Sequence, residues 1–554
     1  MRFIRWGCAG WVLWAWSLGA VAESTTRVSV SSTGVQSDRD CEKSALSADG
    51  RFAAFHSASD RLVPGDTNQA EDIFVRELRT GTTTRVSVSS TGEQANGACY
   101  WPTLSGDGRY VAFQGNASNL VPDDRNSKTD IFVHDRQTGV TVRATLSTSG
   151  VETNDHSQWP SVSADGRAVA FQSRATNLVP GDTNGVTDVF VRDLVAGTTE
   201  RVSVSTGGVQ GNGASELPSI GGDGRFVAFQ AAATNLVPGD TNARDDVFVR
   251  DRAMGATVRA SVSWQGVQGN GDSRSPSLCA DGSVVAFESR ASNLIPFDNN
   301  SVSDIFVRDL GAGTTVAASV ATGGAQGNDD SVFAPALSGD GRVVVFSSYA
   351  RNLVADDRNG FQDVFARDLA AEVTERISVS TIGLEANSES WFPAVSGDGR
   401  FAAFQGFASN LVPDDTNGRL DVFVRDRVVP SVRALGPPPH IGAVVVLALD
   451  AIEDPGADFV AACSRAPAPG IPVGDGRTVP LHVDGLFLLS LSAPAIFEGF
   501  RGSLDGNGQA VARIHLPEEP WLVGFTWFTA FVTLRGEPPG IGGISRGLQT
   551  TVVP

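Results

Sequence analysis

Pro160-Ser-Val-Ser-Ala-Asp165-Gly166-Arg167-Ala-Val-Ala-Phe171 reads as two short apolar runs hinged on Asp-Gly. A two-residue Asp-Gly turn supplies the positive φ angles of a tight hairpin, so the stretch predicts two antiparallel strands. Downstream, Asn177-Leu-Val-Pro-Gly-Asp182-Thr-Asn184-Gly185 is a loop of turn formers. Asp188-Val-Phe-Val-Arg192-Asp193 is a third strand, and Thr199-Glu-Arg201-Val-Ser-Val-Ser205 a fourth. The inner runs do not alternate apolar with polar residues, which predicts a small sheet buried on both faces. The fourth run alternates, as a partly solvated edge strand does.

The same hinge returns at Asp49, Asp107, Asp165, Asp223, Asp281, Asp340 and Asp398, spaced by 58 residues apart from a single 59. Seven copies of a four-stranded sheet, each covered by its neighbours, predict an all-β, seven-bladed β-propeller over residues 23–435. Thr26-Arg27-Val-Ser-Val-Ser31 copies the fourth strand ahead of the first hinge, whereas the fourth strand after the last hinge degenerates at Pro430. The early copy is therefore expected to complete the seventh blade and close the ring.

Ser-x-Asp-Gly-Arg-x-x-Ala-Phe, followed by Asp-Val-Phe-Val-Arg-Asp and a Thr-Gly turn, resembles the TolB-like propeller repeat, also called the PD40 or WD40-like repeat. The resemblance spans residues 26–430 and implies a secreted bacterial propeller. TolB itself differs in placing an α/β domain before a six-bladed propeller, so its partners are not carried over.

The ends carry other signals. Arg2 and Arg5 precede an apolar run from Trp6 to Val21, and Ala20-Val21-Ala22 provides small residues for cleavage, so residues 1–22 read as a signal peptide. The expected location is periplasmic or extracellular, with no membrane span in the mature chain. A Pro-rich linker, 436–440, leads to residues 441–554, whose short apolar runs between turn clusters predict a small β-sandwich. Export permits disulfides among Cys41, Cys99, Cys279 and Cys463, with Cys41 and Cys99 at equivalent places in adjacent repeats.

The formal charge of -19 argues against nucleic acid and anionic lipid as partners and leaves cations, basic proteins or neutral glycans. Enzyme signatures are sparse: six histidines form no His-Glu-x-x-His, and Gly543-Ile-Ser545-Arg-Gly547 has no room downstream for a triad. The most repeated polar pattern is Asp-x-Asn-x-x-x-Asp. It occurs at Asp66, Asn68, Asp72; Asp124, Asn126, Asp130; Asp182, Asn184, Asp188; Asp240, Asn242, Asp246; Asp298, Asn300, Asp304; Asp357, Asn359, Asp363; and Asp415, Asn417, Asp421. Oxygen ligands at alternate turn positions suit calcium, and the competing reading is that these Asx side chains cap their own turn amides.

Seven residues before each hinge stand Glu42, Tyr100, Gln158, Glu216, Arg274, Phe333 and Trp391, with Trp101, Trp159 and Phe392 beside them. These positions vary where the turns do not. A mixed aromatic and charged ring at the channel mouth suits an asymmetric ligand, so the expected function is non-enzymatic binding or scaffolding of a protein or glycan. The alternative is a propeller enzyme acting on polysaccharide, with Glu42 and Glu216 as its carboxylate pair.

Overall fold

A computed structural model describes residues 24–427 and, beyond them, strands between residues 431 and 551. The expected signal peptide and the Ser545 motif lie outside the described residues. The chain divides into two compact units, one of which is Ser24–Arg427. That unit consists of seven four-stranded antiparallel sheets. In the third blade the strands run Ser157–Val162, Ala168–Ser173, Asp188–Asp193 and Thr198–Arg201, paired in chain order.

The second and third strands carry the core. Phe171 and Phe190 are in register and stack with ring centroids 5.9 Å apart. Every blade repeats this pair, as in Phe55–Phe74 and Phe404–Phe423. Between blades, Ile131 and Val133 pack with Val169, Phe171 and Leu178 of the next sheet, so both faces are dry and the apolar runs need not alternate.

The hinge differs from the expected two-residue turn. Gly166 N–H donates to Ser163 O at 2.9 Å and only Gly166 has positive φ, as in a type I turn closed by a G1 bulge. Asp165 stays because its carboxylate accepts from Ser163 Oγ at 2.6 Å and from Arg167 N–H at 3.0 Å. Glycine is doubly required, since a Cβ on Gly166 would sit 2.1 Å from the Tyr110 ring of the preceding blade.

The fourth strand also differs from expectation. It ends at Arg201, after which Val202 enters the core and the buried Ser203 hydroxyl donates to Asp188 at 2.6 Å. The apolar–polar alternation there records a buried crossing to the next blade, not a solvated edge.

Closure is by the N-terminal strand. Ser24–Arg27 pairs antiparallel with Asp421–Asp426, joining the third strand of the seventh blade. Val28 N–H continues the pairing to Val422 O at 2.9 Å. The pairing strand starts at Ser24, two residues before the expected Thr26, and the rest of the predicted copy makes the crossing just described for Val202 and Ser203.

At the hinge end of the axis the blades are tied in a circle. Ala48, Gly106, Gly222, Ala280 and Gly397 each donate a backbone N–H to the corresponding residue of the next blade; in the third and sixth blades Asp165 and Asp340 donate instead. The bonds run from Ala48 through Gly106, Ala164, Gly222, Ala280, Gly339 and Gly397 back to Ala48. Alanine and glycine alternate because a methyl on every copy would not fit: a Cβ on Gly222 would lie 3.2 Å from that of Ala280. Seven is odd, so one glycine pair, Gly339 and Gly397, is unavoidable.

Cys41, Cys99 and Cys279 are buried free thiols. In the second unit, Ser431–Leu435 pairs with Val444–Asp450, which continues through Gln509–His515 to Phe497–Glu498. Another sheet joins Asp458–Ser464 to Thr526–Arg535. Ser431–Leu435, expected as a remnant of the seventh blade, thus pairs outside it.

Candidate functional site: the channel mouth

The first strand of each blade lines the axis and is interrupted at one place. Gln158 pairs with Gln172, the next pair is Ser161 with Ala170, and Trp159 and Pro160 are left unpaired between them. Trp159 takes φ of 55°. The equivalent residues Lys43, Trp101, Leu217, Ser275 and Phe392 share this conformation, with φ between 49° and 57°. In the sixth blade the extra residue of the 59-residue repeat falls here, so Phe333 and Ala334 both have positive φ. Such angles are costly for bulky side chains and persist only when neighbours enforce them.

The enforcing contact comes from the preceding blade. Gln114 Oε1 accepts from Trp159 N–H at 3.0 Å, Gln172 from Leu217 at 2.9 Å, Gln230 from Ser275 at 3.0 Å, and Gln405 from Lys43 at 2.7 Å. Four of the seven bulges are thus held by a glutamine on the second strand next door; in the blades preceding Trp101, Phe333 and Phe392 that place is taken by His56, Glu288 and Ser347. The bulge turns its side chain into a cavity of about 810 Å³ on the axis.

Among the residues singled out from sequence, Arg274 and Phe333 line this cavity, as do Trp101, Trp159 and Phe392. Glu42, Tyr100, Gln158, Glu216 and Trp391 instead occupy the last ladder pair before the bulge, opposite His56, Gln114, Gln172, Gln230 and Gln405. None of those five is among the lining residues. Glu42 and Glu216 belong to the first and fourth blades, with two blades between them. Lining residues that sequence reasoning missed are Lys43, Leu217, Ser275, Glu288, Asp330 and Tyr349. A signal existed for the bulge: proline follows it at Pro102, Pro160, Pro218, Pro276, Pro335 and Pro393.

One side of the mouth is aromatic. The Trp101 and Trp159 rings lie 3.9 Å apart, Phe392 is 6.3 Å from Trp101, and Phe333 is 5.4 Å from Phe392. Lys43 Nζ sits among them, 3.4 Å from the Phe392 centroid, 4.2 Å from Trp101 and 5.5 Å from Trp159. Burial pushes the Lys43 ammonium down to about 7, against the opposing pull of Glu42. Behind it, burial and then Lys43 lower His56 to about 3, while burial followed by Glu42, Asp40 and Asp72 raises Glu71 to about 7.

The other side is polar. Arg274 donates to Asp245 at 2.8 Å and Asp272 at 3.3 Å. Glu288 accepts from Ser303 Oγ at 3.1 Å, and Asp330 from Ser303 N–H at 2.7 Å. Burial raises Glu288 above the usual carboxylate range.

The Asx loops lie elsewhere in each blade and are filled by donors. Asn184 Nδ2 donates to Asp188 at 2.9 Å while its Oδ1 accepts from Val186 N–H at 3.1 Å, the turn-capping arrangement. Arg201 Nη1 then lies 3.3 Å from Asp182 and 3.6 Å from Asp188, between the two carboxylates. Arg27, Arg85, Arg143, Arg259 and Arg376 do the same in five other blades. A guanidinium therefore takes the place expected for calcium in six loops. In the fifth blade the arginine is replaced by Ala317 beside Asp298 and Asp304. Among the described residues, no group of three His, Cys, Asp or Glu is gathered to hold a metal ion.

No family model matches the chain, and no curated protein matches it. Solved structures do. An oligogalacturonate lyase from Vibrio parahaemolyticus is 11% identical, with 74% of this chain and 96% of that one covered at a TM-score of 0.44. A putative TolB from Agrobacterium tumefaciens is 16% identical over 64% of this chain and 97% of its own, at 0.33. The WD40 repeats of RRP9 are 10% identical over 74% and 99%, at 0.37. The blade count rests on strand pairing within the chain itself. Among the described residues no helix is long and apolar enough to cross a membrane.

Proposed function

We propose that this propeller is an exported, non-enzymatic binding module that receives a protein or glycan ligand in the channel mouth. The observation that supports this reading is the set of positive-φ bulges, each spending backbone strain to aim a different side chain into one cavity. Trp101, Trp159, Phe333 and Phe392 give an apolar platform, and Arg274, Glu288 and Asp330 give polar groups opposite it. Broad aromatic surface with a few oriented polar groups is the usual make-up of a ligand site.

The test is capture from periplasmic and culture fractions by the immobilised protein and by a W101A/W159A variant of unchanged melting temperature, each with and without calcium. A partner retained by the parent and lost by the variant is the expected result. Equal capture by both moves the binding surface away from the mouth. Chemical conversion of a captured glycan replaces the non-enzymatic reading with that of an enzyme.

A further inference from the structure

The aromatic side of the mouth already holds a cation, and that cation comes from the chain itself. Lys43 Nζ is within 6 Å of three ring centroids, those of Phe392, Trp101 and Trp159, which is the geometry of a cation–π box. Among the described residues no carboxylate oxygen lies within ion-pair distance of this ammonium, whereas Arg274 across the cavity has two such partners. The other blades place Trp, Trp, Leu, Ser, Phe with Ala, and Phe at the same bulge, so lysine is a single departure. Its backbone is held like theirs, with Lys43 N–H on Gln405, and the lysine side chain is free to differ without disturbing the bulge.

We infer that this box is a receptor for a lysine side chain of a partner protein, and that Lys43 occupies it as an internal competitor in the free protein. The inference rests on the binding reading of the mouth and narrows it to one chemistry. Lys43 demonstrates that an ammonium on an unbranched four-carbon stem fits between the rings. An amino sugar carries its nitrogen directly on a bulky hydroxylated ring and has no such stem. Charge agrees, because a chain of formal charge -19 with Glu288 and Asp330 lining the same cavity attracts a basic partner. In the exchange Lys43 leaves three π faces and regains water beside Glu42. Burial opposes the charged form of Lys43, so leaving the box returns its ammonium to a better-hydrated setting.

The probes are the peptide Ac-Gly-Lys-Gly-amide, the same peptide acetylated at Nζ, and a glucosamine oligomer, titrated by tryptophan fluorescence and calorimetry. The proteins are the parent, K43A, and W101A/W159A in the K43A background. The lysine peptide should bind K43A about tenfold more tightly than the parent, the scale of one desolvated cation–π contact. It should lose saturable binding when Nζ is acetylated or when the rings are removed. Equal affinity for parent and K43A overturns the inference, as does equal binding of the acetylated peptide or tighter binding of the glucosamine oligomer. If the lysine arm fails while the parent still captures a partner through Trp101 and Trp159, the inference falls alone. If ring removal leaves capture unchanged, the reading of the mouth falls with it.

Discussion

At the scale of single residues, Ala317 isolates what the arginine of the Asx loop contributes. Six blades place a guanidinium between two buried carboxylates, and the fifth leaves Asp298 and Asp304 without one. Burial pushes Asp304 up to about 6, with hydrogen bonds from Ser319 and Asn300 opposing and no arginine to help. An acid raised in the folded state binds more protons there than when unfolded, so its contribution to stability is lost as pH rises from about 4 to about 6. Ala317→Arg should therefore stabilise the propeller by about 1 kcal/mol at pH 7, above the value of about 6 to which Asp304 is raised. The gain should shrink at pH 4, where Asp304 is neutral. Denaturant unfolding at the two pH values checks both the sign and its pH dependence, and a larger gain at pH 4 contradicts the account. A second residue-scale prediction concerns Gln114, the acceptor for Trp159 N–H. Gln114→Ala should cost about 1 kcal/mol and shift the tryptophan emission, because the bulge loses its only cross-blade restraint of this kind. Gln114→Glu should be tolerated, since Glu288 occupies the same place naturally. Unfolding and fluorescence measured on both variants separate lost bonding from lost side-chain volume.

At the scale of the element, the first strand carries two features that were unequally legible. The Asp-Gly hinge and the apolar runs announced themselves because every copy obeys the same local rule: Gly166 must have positive φ and must leave room for Tyr110. The bulge did not, because its cause is not local. The glutamine that holds Trp159 lies 45 residues earlier, in another sheet. Counting back from the hinge then gave Gln158 and its equivalents, one residue short of the bulge, although Arg274 still reaches the cavity from that position; in the sixth blade the inserted residue moved Phe333 into the bulge itself. The Asx pattern was visible as a motif, but its arginine sits 13 residues after the closing aspartate, as Arg259 does after Asp246, and so escaped the pattern. The collar just before the hinge is a testable part of the same strand. A Cβ on Gly397 would lie 3.0 Å from that of Ala48 and 3.2 Å from the Ala48 carbonyl oxygen. Gly397→Ala should destabilise by about 1–3 kcal/mol through overpacking. Adding Ala48→Gly should recover part of that loss, since it removes the opposing methyl. A double-mutant cycle that shows no coupling would mean that the alternation of alanine and glycine has another origin.

At the scale of the whole molecule, a ring of sheets is only as cooperative as its last joint. Every crossing from one blade to the next is covalent, including that from Ser24–Arg27 into the first blade; the joint without a covalent link lies inside the seventh blade, whose fourth strand comes from nearly 400 residues earlier in the chain. Three kinds of contact converge on this strand. Its backbone pairs with Phe423 to Asp426, the Ser29 hydroxyl donates to the buried Asp421 at 2.5 Å, and Arg27 lies 2.9 Å from Asp415 and 3.5 Å from Asp421. Val28 is fully buried against Phe55, Phe74 and Val422, so the strand also belongs to the core shared by the first and seventh blades. Removing residues 24–31 therefore does more than trim an end: it leaves Asp415 and Asp421 buried without their cation and exposes the edge of the seventh blade. Uncompensated buried charge alone costs about 3–5 kcal/mol, and at roughly 2 °C per kcal/mol the melting temperature should fall by about 6–10 °C. Arg27→Met separates the electrostatic part from the strand itself, because it keeps the backbone pairing and the buried Val28 while deleting the charge. It should produce a smaller fall than the deletion. If the deletion melts like the parent, the ring does not depend on its closing strand; if Arg27→Met alone reproduces the full loss, the joint is held by charge and not by strand pairing.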